Sequence, residues 1–324
     1  MLWATVTVVV AACAAPDAPD ISTEPPSTNA LASPSPSATS EPDAASSPPA
    51  SPPSSAAAAS SERLTARPIG SREANLGYYE YLPPGYSDGQ PRPLLVALHG
   101  VDGSGNGSPL ELDNLFETGI PDLIRSDAWP ADRPFVVLVP QHDFPVSDER
   151  YAPCAGTALF GSCLMELQHR AGHPPDESLC MTPSELHAFL SYAIAEYDVD
   201  PERVYLTGLS CGAFAAYEYA ATYGAEQITA MVPIAGEARP AMQAAGCTLG
   251  EVAIWAFHGD RDDVNDVQGT IEPMNDLMDC PGVPEPSVRL TVYAGVDHDS
   301  WTRTYDLSAN HDIYEWFLGI TKSS

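Results

Sequence analysis

Basic residues are scarce in this 324-residue chain. Only 14 Lys and Arg stand against 44 Asp and Glu, Lys322 is the sole lysine, and the formal net charge is −30. A phosphate backbone would be repelled by such a balance, which excludes nucleic acid as a partner. It equally excludes electrostatic docking on anionic lipid. No apolar run is long enough to cross a bilayer as a helix, the opening run Met1 to Cys13 being too short. Internal repeats are absent. His142, His169, His173 and His187 do not fall in a His-Glu-x-x-His spacing, and Gly103-Ser104-Gly105 lacks the Gly-Lys-Ser/Thr of a phosphate loop. The acidic run Asp260, Asp262, Asp263, Asp266 lacks the glycine and terminal glutamate of a calcium loop. Neither a metal nor a cofactor is therefore expected. The excess of acid gives a heavily solvated surface, and the near-absence of lysine fits a salt-rich habitat.

Met1–Cys13 is apolar and ends Val10-Ala11-Ala12-Cys13. It resembles the h-region and lipobox of a bacterial lipoprotein signal, which implies that Cys13 becomes the lipidated N-terminus of an exported chain. One departure is that no Lys or Arg precedes the apolar run, as a normal n-region has, and a plain secretory signal is the alternative. Residues 14–62 are almost entirely Ala, Ser and Pro, without Lys, Arg or an aromatic residue. Nothing in them repays the entropy of ordering, so they read as a disordered tether. Together the two segments predict a domain, 63–324, held away from a membrane that it touches only through its anchor.

Within that domain short apolar runs alternate with helical patterns, which predicts an α/β fold with a mostly parallel sheet covered by helices on both faces. Strands are expected at 74–82 (an edge), 94–98, 135–140, 204–209, 231–234, 252–258 and 288–293. Helices are expected at 110–126 (split by Gly119 and Pro121), 183–197, after residue 210, at 269–278 and at 311–318. Thr182-Pro183-Ser184-Glu185 is a capping box with proline in the first turn. Residues 141–182 are irregular.

Chemistry concentrates at Gly208-Leu209-Ser210-Cys211-Gly212. Composition alone would give Gly-x-Ser-x-Gly in roughly one chain in ten of this length. Its context is more specific, because a β-branched and aromatic strand precedes it and an Ala-rich helix follows. That is the setting of a nucleophile elbow, whose tight turn leaves no room for side chains two places either side of the serine. Serine needs a base, and the base needs an orienting acid. Both partners follow at strand ends, in His258-Gly259-Asp260-Arg261-Asp262 and in Gly295-Val296-Asp297-His298-Asp299-Ser300-Trp301.

With His99-Gly100, these four motifs in order resemble the α/β-hydrolase superfamily, nearest to secreted esterases of the polyhydroxybutyrate-depolymerase, feruloyl-esterase and carboxylesterase/phospholipase group. The likeness covers residues 76–320. It departs at Gly212-Ala213, where a second glycine is common, and leaves 141–182 unmatched. The resemblance implies Ser210 as nucleophile, His298 as base and Asp262 as acid, with Asp260 and Asp263 as the alternatives to Asp262. It implies an oxyanion hole made by the backbone N–H groups of Val101 and Cys211. Trp301 and His99 become candidate pocket residues, although His99 and His258 also read as structural residues closing strands. The substrate would be a small-molecule or polymeric ester and the protein a monomer. A peptidase on the same fold and an inactive surface-binding lipoprotein are the competing readings.

Besides Cys13, six cysteines remain, at 154, 163, 180, 211, 247 and 280. An even number in an exported chain suggests disulfides. Cys247 and Cys280, which flank the unit bearing Asp262, are the preferred pair. Cys211 is either a buried thiol or tied to the irregular 141–182 segment.

Overall fold

A computed structural model describes residues 63–143, 163, 180–284 and 287–322. The chain divides into two units, 1–52 and 53–324, and every described residue belongs to the second. The lipidation candidate Cys13, the tether at 14–62 and Cys154 lie outside the described residues.

Eight strands form one sheet: β1 (Thr65–Arg67), β2 (Tyr78–Tyr81), β3 (Arg92–Leu98), β4 (Val136–Pro140), β5 (Val199–Leu209), β6 (Ala230–Ile234), β7 (Ala253–Gly259) and β8 (Val288–Tyr293). Their order is β1-β2-β4-β3-β5-β6-β7-β8. Strands β3 to β8 pair in parallel, while β1 and β2 are antiparallel additions. The helices are α1 (Ile120–Arg125), α2 (Pro183–Glu196), α3 (Cys211–Tyr223), α4 (Arg239–Ala245), α5 (Gln268–Met278), α6 (Trp301–Tyr305) and α7 (Ile313–Leu318).

Strand periodicity builds the core. Along β3, Leu94, Val96 and Leu98 face one layer, where they meet Phe189 and Leu190 of α2 and Phe214 of α3. Leu95 and Ala97 face the other, with Trp129, Phe135, Tyr314 and Phe317. Successive strand side chains point to opposite faces, so a strand covered on both sides must be apolar throughout, as β4 and β6 are. The start of α2 is the capping box expected from sequence. Thr182 Oγ1 accepts the Glu185 N–H, and Glu185 accepts the Thr182 N–H at 2.9 Å.

Two expectations are corrected. The edge strand expected at 74–82 is not an edge: only Tyr78–Tyr81 is extended, and it lies buried between β1 and β4. The covering strand, Thr65–Arg67, is three residues long and too short to show a period. Strand β5 starts at Val199 rather than 204, its first residues pairing with β3 across a register shift between Arg92 and Leu94. Trp301 opens the short helix α6, and α4 matches no helix expected above.

Candidate active site

Strand β5 delivers Ser210 to the C-terminal rim of the sheet, where α3 begins. Ser210 has φ 51° and ψ −116°, a conformation that a non-glycine residue adopts at a cost of about 1–3 kcal/mol. The flanking glycines make the turn possible. A Cβ on Gly208 would stand 2.3 Å from the Gly212 carbonyl, and one on Gly212 would stand 2.4 Å from the Leu98 oxygen.

Two neighbouring loops bring the partners. Strand β7 runs out at His258-Gly259 into the turn bearing Asp262, and β8 runs out into the loop bearing His298. Gly259 lets these loops touch, since a Cβ there would lie 2.3 Å from the Val296 oxygen and 2.4 Å from the Asp297 oxygen. The loops are then laced by Arg261 N–H to Val296 O (2.9 Å) and by Gly295 N–H to Asp260 Oδ1 (2.6 Å). His298 Nε2 stands 3.0 Å from Ser210 Oγ, and His298 Nδ1 2.7 Å from Asp262 Oδ2. Of the two alternative acids, Asp260 is occupied in the lacing and Asp263 is exposed.

Asp262 also accepts from His258 Nε2 (3.0 Å) and from the amides of Val264 and Asn265 (2.9 and 2.8 Å). Burial by itself would raise this carboxyl, but the hydrogen bonds from His258, His298 and the Asn265 amide outweigh it and hold it well below the usual carboxylate range. Asp262 is thus an ionised acceptor. It keeps the proton of His298 on Nδ1 and leaves Nε2 bare toward the serine.

Val101, 37% exposed, opens a single helical turn beside the serine. His99 Nε2 accepts the His142 N–H (2.9 Å), so His99 Nδ1 carries the proton and donates to Gly100 O (2.6 Å). A trans peptide points its N–H opposite its C=O, so this bond turns the Val101 N–H away from His99. Burial pushes the His99 imidazole down to about 4, keeping it neutral. The amide of Cys211 is the first of α3, where helix geometry provides no intrahelical acceptor.

Gln141, in the segment that sequence reading left unassigned, is buried and secures the same loop. Its Nε2 donates to Gly103 O and Glu111 O, and its Oε1 accepts the Gly107 N–H. Its only trace in sequence is a polar residue directly after an apolar strand.

A pocket of about 220 Å³ opens over Ser210, lined by Leu115, Ile120, Leu209, Trp301 and Tyr305 among others, with Asp102 and Glu117 exposed at its mouth. Trp301 serves as both wall and support. Its ring meets that of His298 edge-on at 5.0 Å, and its Nε1 donates to Thr118 Oγ1 at 2.8 Å. His99 lines the same space. Cys211 is disulfide-bonded to Cys180, the tied alternative of the two expected, and Cys247 pairs with Cys280. Among the described residues no group of three or more His, Cys, Asp or Glu side chains could hold a metal ion.

No protein-family profile matches the chain, and no curated protein does. Solved structures do. A thermostable esterase superposes with a TM-score of 0.55 at 21% identity, over 81% of this chain and 64% of its own length. A Thermus thermophilus protein gives 0.51 at 18% identity, over 79% of this chain and 98% of its own. A protein described as a dienelactone hydrolase from Klebsiella pneumoniae gives 0.50 at 16% identity, with the same coverages. This chain therefore spans less than two thirds of the length of the thermostable esterase. With the sheet order above, these likenesses give the chain the α/β-hydrolase fold.

Proposed function

We propose that the protein is an exported serine hydrolase that cleaves carboxylic esters through an acyl-enzyme. One observation carries the reading: Ser210 Oγ, His298 and Asp262 stand in hydrogen-bonded sequence at 3.0 and 2.7 Å over one pocket. Ser210 Oγ attacks the acyl carbon while His298 Nε2 takes its proton, and Asp262 stabilises the imidazolium. The oxyanion draws on the amides of Val101 and Cys211, donors matched to charge that appears only in the tetrahedral state. His298 then protonates the leaving alcohol, and water reverses the steps to free the acid. A bonded base and acid behind a hydroxyl that faces the pocket favour this over an inert binding scaffold. Cys13 is the proposed lipid anchor, and the tether carries the domain away from the membrane.

A fluorophosphonate probe should label Ser210, and Ser210→Ala should abolish hydrolysis of p-nitrophenyl esters. Turnover that survives this substitution, or an unlabelled folded protein, sinks the reading. Mass spectrometry of the mature N-terminus tests the anchor, which an unmodified Cys13 would remove.

A further inference from the structure

We propose that His258 is a positioning residue for the acid: its Nε2–H holds the same Asp262 oxygen that receives His298, and so fixes the direction from which the carboxylate meets the base. This rests on the reading that Ser210, His298 and Asp262 act together.

Taken alone, a histidine closing a strand is a structural residue. The geometry gives it more. His258 is wholly buried at the end of β7. Its Nε2 lies 3.0 Å from Asp262 Oδ2, on which His298 Nδ1 also converges at 2.7 Å. The far side of the ring is secured too: Nδ1 stands 2.8 Å from Thr270 Oγ1 on α5, a hydroxyl that also lies 3.1 Å from the Gly236 carbonyl oxygen. An ionised carboxylate only accepts, so both imidazole nitrogens facing Asp262 bear hydrogens. The amides of Val264 and Asn265 anchor Oδ1, while among the described residues Oδ2 is held by the two rings. His298 changes protonation state in every turnover. His258, clamped at both nitrogens, is the fixed reference for Oδ2.

Sharing Oδ2 between two donors also weakens its hold on the His298 proton. Removing the His258 donor leaves Oδ2 to His298 alone, which raises the basicity of His298 and moves the acid limb of kcat/KM to higher pH. Other charged or titratable groups surround this pair. Asp297 and Asp299 flank His298, Arg261 and Asp263 flank Asp262 with Asp260 one place further, and Asp102 and Glu117 border the pocket. Tyr217 of α3 packs against Gly236, and Glu237, paired with Arg239, packs against Gly269. None of them changes with a substitution at 258, so a shifted limb reports the shared oxygen.

The experiment measures kcat, KM, the pH profile of kcat/KM and the melting temperature of the full chain on p-nitrophenyl butyrate. His258→Leu, which keeps volume and removes the donor, should lower kcat about tenfold. Its KM should stay near that of the parent, and its acid limb should rise by about half a pH unit. His258→Gln, whose amide reaches as far as Nε2, should recover most of kcat and return the limb. Thr270→Val, which frees the ring at Nδ1, should move both quantities the same way by less. Parental kcat and limb in His258→Leu overturn the proposal. So do equal losses in Leu and Gln variants that melt lower without a moved limb, since that pattern reports packing alone. If His258→Leu does not fold, Thr270→Val decides, and an unmoved kcat and limb overturn it. Turnover surviving Ser210→Ala would instead reject the triad reading, a distinguishable failure.

Discussion

At the scale of single residues, His99 links acid stability to the loop that bears Val101. Its imidazole ionises near 4 in the folded chain and near 6.5 when unfolded. The unfolded chain therefore binds the extra proton first as pH falls. Stability should decline between about pH 6.5 and 4 and level off below, by at most about 3 kcal/mol from this group. Urea denaturation across that window should show the decline, and His99→Gln should flatten it. A slope unchanged by the substitution assigns the acid sensitivity elsewhere. Trp301 sets a second residue-level expectation. Truncating it to Ala opens the pocket wall and removes the edge-on support of His298. Trp301→Ala should shift chain-length preference on p-nitrophenyl esters toward longer acyl groups while lowering kcat on the acetate. An unchanged preference would mean that the ring does not bound the acyl site.

At the scale of elements, the close approach of two loops at Gly259 is the most demanding contact. A Cβ there would press on the backbone oxygens of Val296 and Asp297, immediately before His298. Gly259→Ala should displace the base and lower kcat about 10²-fold, while the melting temperature falls much less; measuring both separates misplacement from unfolding. The sequence made much of this legible, for a physical reason. Parallel strands end at one rim, so motifs at the ends of β5, β7 and β8 had to converge, and the glycines at 208, 212 and 259 marked where backbones touch. The capping box at Thr182 was equally plain because its signal is local. What escaped was non-local. The three-residue β1 has no period of its own, and Gln141 draws its role from carbonyls about 30 and 38 positions away. His258 passed for a strand-closing residue because its partnership with Asp262 depends on how the turn after Gly259 folds back.

At the scale of the whole molecule, 44 acidic residues against 14 basic ones make self-repulsion the dominant long-range force. Salt shortens its range from about 10 Å at 0.1 M to about 3 Å at 1 M. The melting temperature should therefore rise with sodium chloride over that range, as thermal unfolding followed by circular dichroism would show. A flat or falling dependence would mean that local ion pairs, such as Arg67 with Glu80, outweigh the global term.

The Cys180–Cys211 and Cys247–Cys280 bridges divide the chain in a way that bears on proteolysis. Ser210 lies inside the ring closed by Cys180 and Cys211, and Asp262 inside the one closed by Cys247 and Cys280, while His298 lies outside both. A single backbone nick within either ring leaves the fragments covalently joined and all three side chains on one molecule. A nick between 281 and 297 severs the histidine from the other two.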